Sequence, residues 1–492
     1  MSHHVIQTFP NEILEIILDN CCDTNLFSVD DDEESVGSLK DIPAMAVSSV
    51  CSQWRRVGLS LSRIWSRMSL DLLGDLSTPE EDRLSPILRM FITRSRQQPI
   101  TLSICLGSPL NPDICPYEPL AILCREYHRW ASFTLRSEDW DVDDLFSTAD
   151  YSLPREGFTR LVHLELGFSP SADFFVTFKA PSLQKLKLSS ENKSYDDFEI
   201  QLLSQLTHLQ LNKEIWSLAV LKALRQITSL QSLDVDDHVD SDWDMDWPED
   251  GDDEAFSFPT SSSIEVLTIR HSENDSQAAH ITSIFPLLDL PSLTTLRLDC
   301  GQDSSDPRKH LWPSFDPFMA FVKRSSFTLT TLYIKCVALS DSKLIYLLYH
   351  IPTLLDLTVV DPIVEDGENG ERLIPLTGQF LQSLHVGTAS LLQLTTPLVP
   401  KLRCLTLNVG GCFFDDKAAL DLVKSRWTPH GSKHGVDCLR SFTIIFRART
   451  NVPEAYDTLN DFAKAGMKIA VFCFDSVTRS LTPSPRTTPE YD

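Results

Sequence analysis

One spacing recurs along this chain and governs what it can fold into. It runs apolar, two variable positions, apolar, one variable position, apolar. It first reads Leu161-Val-His-Leu164-Glu-Leu166 and returns at Leu183–Leu188, Leu206–Leu211, Leu230–Val235, Ile264–Ile269 and Leu293–Leu298. It continues at Leu329–Ile334, Leu354–Val359, Leu381–Val386, Leu402–Leu407 and Leu439–Ile444. One copy means little in a chain rich in leucine. Eleven in order, mostly 21–29 residues apart, mark an internal repeat. The wider gaps near 235–264, 298–329 and 407–439 read as insertions.

Each copy ends in the alternation of a strand, and helical patterns lie between copies, as at Leu344–His350 ahead of Pro352 and at Ala418–Arg426. One strand and one helix cannot bury their own apolar face. Neighbours must stack, which aligns the strands into a curved parallel sheet with helices outside it. The predicted fold class is therefore α/β, a solenoid. The second and third apolar residues of each copy point inward and the residue between them outward, because side chains alternate along a strand. That rule places Glu165, Lys187, Gln210, Asp234, Thr268, Arg297, Tyr333, Thr358, His385, Thr406 and Thr443 in one stripe on the concave side. The stripe is chemically mixed and suits protein recognition. Its candidate substrate-binding residues are Glu165, Lys187, Gln210, Asp234, Arg297, Tyr333 and His385. As a series the copies resemble leucine-rich repeats. The stretch 329–354 is the cleanest, with Cys336 and Leu339 where that family has its Cys/Asn and its next apolar position.

Ahead of the repeats, Ile13, Leu14, Ile17 and Leu18 share one helix face, with Pro10 before it and Asn11 placed to cap it. After the acidic run Asp30–Glu34, a second helical pattern extends from about Pro43 to Gly58, with Ala46, Val47, Val50, Cys51 and Trp54 on one face. Ile64, Trp65 and Leu70 form a third apolar cluster. About 60 residues of helix make a small core, so the pattern points to a surface completed by a partner. The runs Phe9-Pro10-Asn11-Glu12-Ile13-Leu14, Val50-Cys51-Ser52-Gln53-Trp54-Arg55 and Ile64-Trp65 resemble an F-box. Phe9 stands where that family usually has Leu, and the gap before Val50 is long and acidic. The resemblance implies docking onto the Skp-type adaptor of a cullin ubiquitin ligase. It implies that Pro10, Ile13, Leu14, Ile17, Val50, Cys51, Trp54 and Trp65 form the adaptor-binding surface or the small core beneath it.

The expected organisation is an all-α F-box-like module over residues 6–70 and a connecting segment with degenerate first repeats over 71–158. The repeat array follows over 159–475, with an acidic insertion at 236–256, and then a disordered Ser/Thr/Pro-rich tail at 476–492. In the connecting segment, Pro86–Arg96 reads as helix, Ile100–Leu106 as strand, and Trp130, Phe133 and Leu135 as an early repeat. The alternating Asp240, Asp242, Asp244 and Asp246 do not make an EF-hand loop, because Trp247 stands where the loop needs Gly.

Composition narrows the function. The net charge of −26 leaves few Lys/Arg clusters for phosphate, which argues against nucleic acid. No apolar run spans a bilayer and no signal peptide opens the chain, so the expected setting is cytoplasmic or nuclear, away from membranes. The twelve cysteines are scattered without CxxC pairs, which predicts buried reduced thiols and neither zinc nor a disulfide framework. No nucleotide-loop, zincin or nucleophile-elbow motif occurs, so no cofactor and no catalytic residue is expected. The reading is a non-enzymatic substrate-recognition subunit whose partners are the adaptor, the cullin ligase behind it and an unidentified target protein. The alternatives are a repeat scaffold outside any ligase and an enzyme whose site carries no motif.

Overall fold

The computed structural model describes residues 9–28, 42–72, 78–107, 118–137, 157–167, 178–189, 204–212, 224, 227–237, 263–271, 285, 288–300, 315–337, 339–362, 374–387, 397–410, 414–429, 435–447 and 449–474. The acidic run 30–34, the acidic insertion beyond 237 and the tail lie outside these residues. Contacts divide the chain into two compact units, Met1–Leu230 and Gln231–Asp492.

The first unit opens with three helices, α1 (Asn11–Cys21), α2 (Pro43–Ser49) and α3 (Ser52–Ser60). Its strands are β1 (Asn25–Ser28), β2 (Arg67–Leu72), β3 (Ile100–Leu106), β4 (Trp130–Ser137), β5 (His163–Gly167), β6 (Lys185–Leu188) and β7 (His208–Asn212). Each pairs in parallel with the next in sequence. Helices α4 (Thr78–Ser95) and α5 (Glu118–Cys124) connect strands. Parallel neighbours need a crossover between them, so this order is that of a repeating strand-and-connection unit. The expected strand at Ile100–Leu106 and early repeat at Trp130–Leu135 are β3 and β4.

Two inward rows fill the core. One is Met68, Leu102, Phe133, Leu164, Leu186 and Leu209; the other is Leu70, Ile104, Leu135, Leu166, Leu188 and Leu211. The residue that leads each copy turns the chain into its strand: Leu161 N–H donates to Phe158 and Leu183 N–H to Ala180. The opening helices share this core. Trp65 is fully buried, packs edge-on against Phe91 and donates from its indole to the Gly58 carbonyl at 2.8 Å. A methyl group at Gly58 would meet the Ser48 hydroxyl at 2.9 Å, so the close approach of α2 and α3 depends on that glycine.

The second unit repeats the plan with β8 (Ser232–Asp237), β9 (Val266–His271), β10 (Thr295–Asp299), β11 (Thr331–Lys335), β12 (Asp356–Val360), β13 (Cys404–Val409), β14 (Ser441–Phe446) and β15 (Lys468–Cys473). These too are parallel and paired in sequence order. Its helices are α6 (Phe315–Ser325), α7 (Asp341–Tyr349), α8 (Gly378–Leu384), α9 (Asp416–Arg426) and α10 (Asn460–Lys464).

Five expectations need correction. The segment 6–70 is not all-α, because β1 and the start of β2 lie within it and pair in parallel. The copy at Leu381–Val386 is not a strand: Leu381 and Leu384 lie on α8, and β12 pairs directly with β13. The Thr377 hydroxyl accepts from Phe380 N–H and starts a helix there. The helix expected over Pro43–Gly58 is two helices, broken where Cys51 is extended. Ser48 and Ser49 hydroxyls donate back to Ala44 and Ala46, a competition that weakens helix continuation. Asp236 and Asp237 belong to β8 rather than to an insertion. Of the described cysteines only Cys22, Cys300 and Cys336 are buried; Cys21 is exposed and the rest are half-buried.

Candidate functional site

The first candidate surface lies on the opening helices. Pro10, not Asn11, precedes α1; its carbonyl accepts from Ile13 and Leu14, and Asn11 makes no cap. Leu14 and Leu18 turn into the core, while Phe9, Ile13 and Ile16 stand exposed one helical turn apart. Gln53 at the start of α3 donates to the Phe9 carbonyl at 3.1 Å, which ties the first turn of α1 to the break before α3. At that break Val50 is 56% exposed and Cys51 half-buried. Trp54 is half-buried, and its indole nitrogen meets no acceptor among the described residues.

The eight residues expected for adaptor binding therefore separate by depth. Pro10, Ile13 and Val50 are exposed, and Ile17, Cys51 and Trp54 are half-buried. Leu14 and Trp65 are wholly buried, so they cannot touch a partner and instead support the surface from beneath. Sequence reasoning missed Ile16, although its position one turn beyond Ile13 was open to inspection.

The second candidate surface is the open face of the strands, taken unit by unit. In the first unit Glu165, Lys187 and Gln210 lie side by side in register. Glu165 accepts from two cations, Arg136 at 2.9 Å and Lys187 at 2.9 Å. Burial alone would raise this carboxyl; the hydrogen bonds and charges of Lys187 and Arg136 outweigh that and hold it below its usual value. Ser132 and His163, partners across β4 and β5, place Oγ and Nδ1 3.2 Å apart. Burial lowers the His163 pKa, with Lys185 and Lys187 adding to the effect and Glu165 opposing it.

In the second unit Asp234, Thr268, Arg297, Tyr333, Thr358, Thr406 and Thr443 form a continuous row across β8–β14. His385 is not in it. That residue follows the last turn of α8, so the predicted stripe loses one member. Residues two further along each strand make the ion pairs: Arg270 reaches back to Asp234 of the first row at 2.7 Å, and Lys335 pairs with Asp299 at 3.0 Å. Arg136, Arg270, Asp299 and Lys335 were not expected. The two-residue period of a strand places them on the same face as the predicted stripe.

Among the described residues, no group of three His, Cys, Asp or Glu side chains could hold a metal ion, and no helix is long and apolar enough to cross a membrane. The two surfaces offer apolar burial on the opening helices, and ion pairing and hydrogen bonding on the strands. No protein-family model matches the chain, and no curated protein matches it.

Proposed function

We propose that this chain is the substrate-recognition subunit of an SCF-type cullin ubiquitin ligase, in which an F-box-like segment binds the Skp-type adaptor and leucine-rich repeats bind a target protein. One observation carries the reading. Of the eight large apolar side chains exposed among the described residues, six (Phe9, Ile13, Ile16, Leu26, Val50 and Leu59) fall in the opening segment between residues 9 and 59, and the other two are Tyr346 and Tyr349. Apolar exposure concentrated in this way is what a partner would cover. The ordered strand faces, with their polar and charged rows, are suited to gripping a protein. The chain would perform no chemistry itself; it would raise the target's effective concentration near the catalytic subunits.

The test is co-purification of the full chain with a Skp-type adaptor. Ile13→Asp combined with Val50→Asp should abolish capture and leave the melting temperature unchanged, because both side chains already face solvent. Equal capture of variant and wild type, or no capture of wild type, would end the reading.

A further inference from the structure

The strands β4–β7 differ in charge from the chain that contains them. The whole chain has 69 acidic and 43 basic residues. On the strands β4–β7 themselves, Arg136, Lys185 and Lys187 are opposed by Glu165 alone, with His163 and His208 beside them. Glu165 is already shared by Arg136 and Lys187. Lys185 is exposed and pairs with no carboxylate among the described residues. The cations Arg136, Lys185 and Lys187 thus present a net positive open face held in shape by one half-buried carboxylate.

We propose that the open face of β4–β7 binds an extended acidic peptide segment of the target protein. The proposal rests on the substrate-receptor reading and gives the chemical class of the substrate. Three arguments carry it. Charge complementarity favours an anion at this face: Lys185 and Lys187 stand together on one strand, whereas among the described residues of the second unit Arg270 and Lys335 are taken up by Asp234 and Asp299 and Arg297 stands singly. Spacing selects a peptide: Lys185 and Lys187 stand two residues apart on one strand, about 6.7 Å, which is also the repeat of alternate side chains in an extended partner. Size disfavours a nucleic acid. The cationic patch, from β4 to β6, spans two inter-strand spacings, roughly 10 Å, within a strongly acidic chain.

Glu165 acts here as a positioning residue. It fixes the Arg136 guanidinium and the Lys187 ammonium side by side, and it also competes with an incoming carboxylate for both.

The experiment is fluorescence anisotropy of the full chain with a short labelled peptide carrying glutamate at alternate positions. Controls are the same peptide with glutamine at those positions and a single-stranded oligonucleotide of equal charge. Wild type should bind the glutamate peptide, and the affinity should fall as salt rises. Lys185→Glu with Lys187→Glu should weaken binding by about tenfold or more, and Glu165→Gln should tighten it by about threefold at low salt. Because a glutamate at 187 would face Glu165, Lys185→Gln with Arg136→Gln provides a second variant that adds no like charge. Both should fold, judged by circular dichroism, and still capture the adaptor. Binding equal to the glutamine control, binding unchanged in both variants, or equal affinity for the oligonucleotide would overturn the proposal. Peptide binding without any adaptor capture would remove the ligase reading and leave the acidic-peptide site standing.

Discussion

Arg426, the last residue of α9, donates through Nε to the carbonyl of Leu384, the last residue of α8, at 2.6 Å. The same guanidinium donates to Leu398 at 2.6 Å and Val399 at 3.1 Å. Only 1% of the residue is exposed, and desolvation lowers its pKa to about 10, so it remains charged at neutral pH. The arginine therefore joins the end of α9 to the end of α8 and to the segment that leads into β13. Arg324 makes a related clasp on Phe285 and Leu288.

Replacing Arg426 by Met should cost about 3 kcal/mol or more, since three buried carbonyls lose their donors. Lys should rescue little of it, because an ammonium cannot match the planar fork. Urea unfolding of the full chain reads the change; a loss below about 1 kcal/mol would show that water or a shifted backbone replaces the clasp.

Asp361, at the end of β12, should make stability depend on pH in an unusual direction. Burial pushes its carboxyl up to about 7, against the amides of Leu376 and Gly410 and the charge of Arg447. The folded pKa lies above the unfolded one, so the stabilisation is complete below about pH 4 and is lost as pH rises towards 7. Asp361→Asn should remove this component. The stability difference between variant and wild type should then grow in the variant's favour from pH 4 to pH 7. A difference independent of pH would show that Asp361 titrates normally.

Asn25 should be intolerant of substitution. It is fully buried, donates to the carbonyls of Ile64 at 2.8 Å and Arg67 at 2.7 Å, and accepts from Ala44 N–H at 2.9 Å. One side chain thereby joins β1, the start of α2 and the entry to β2. Asn25→Leu should destabilise the chain by about 3 kcal/mol, and Asn25→Asp should also destabilise it by placing a carboxylate against two carbonyls. Thermal melts of both variants provide the check.

Adjacent residues on α1 should divide stability from binding. Leu14→Ala should cost about 2–5 kcal/mol as a core truncation. Ile13→Ala should change stability by less than about 0.5 kcal/mol and act on adaptor capture instead. Matched losses of stability in the two variants would show that Ile13 packs inside.

The sequence disclosed the second unit better than the first. Ten of the eleven motif copies lead into strands, because a buried apolar residue at each of three fixed positions leaves little freedom of register. The Leu381 copy failed because its first half, apolar residues three apart, is also a helical spacing, and Thr377 and Phe380 decide in favour of the helix. Strand β2 carries the same pattern as Trp65-Ser-Arg-Met68-Ser-Leu70, disguised by Trp and Met in place of leucine. Strand β1 has no such signal, since its place depends on hydrogen bonds that Asn25 makes to residues some 40 positions away. Of the candidate surfaces, the helix faces and the central strand stripe were readable from periodicity. Which apolar residues end up exposed was not, because burial depends on how α1, α2 and α3 cross.

Pairing each strand of the second unit only with its sequence neighbours has a kinetic consequence. Nothing beyond β14 needs to melt for β15 to detach, and the inward residues Ile469 and Val471 of β15 are only half covered. Amide protons should therefore exchange in a gradient, fastest at Lys468–Cys473 and slowest around β11–β13, with opening proceeding as a zipper from that edge rather than all at once.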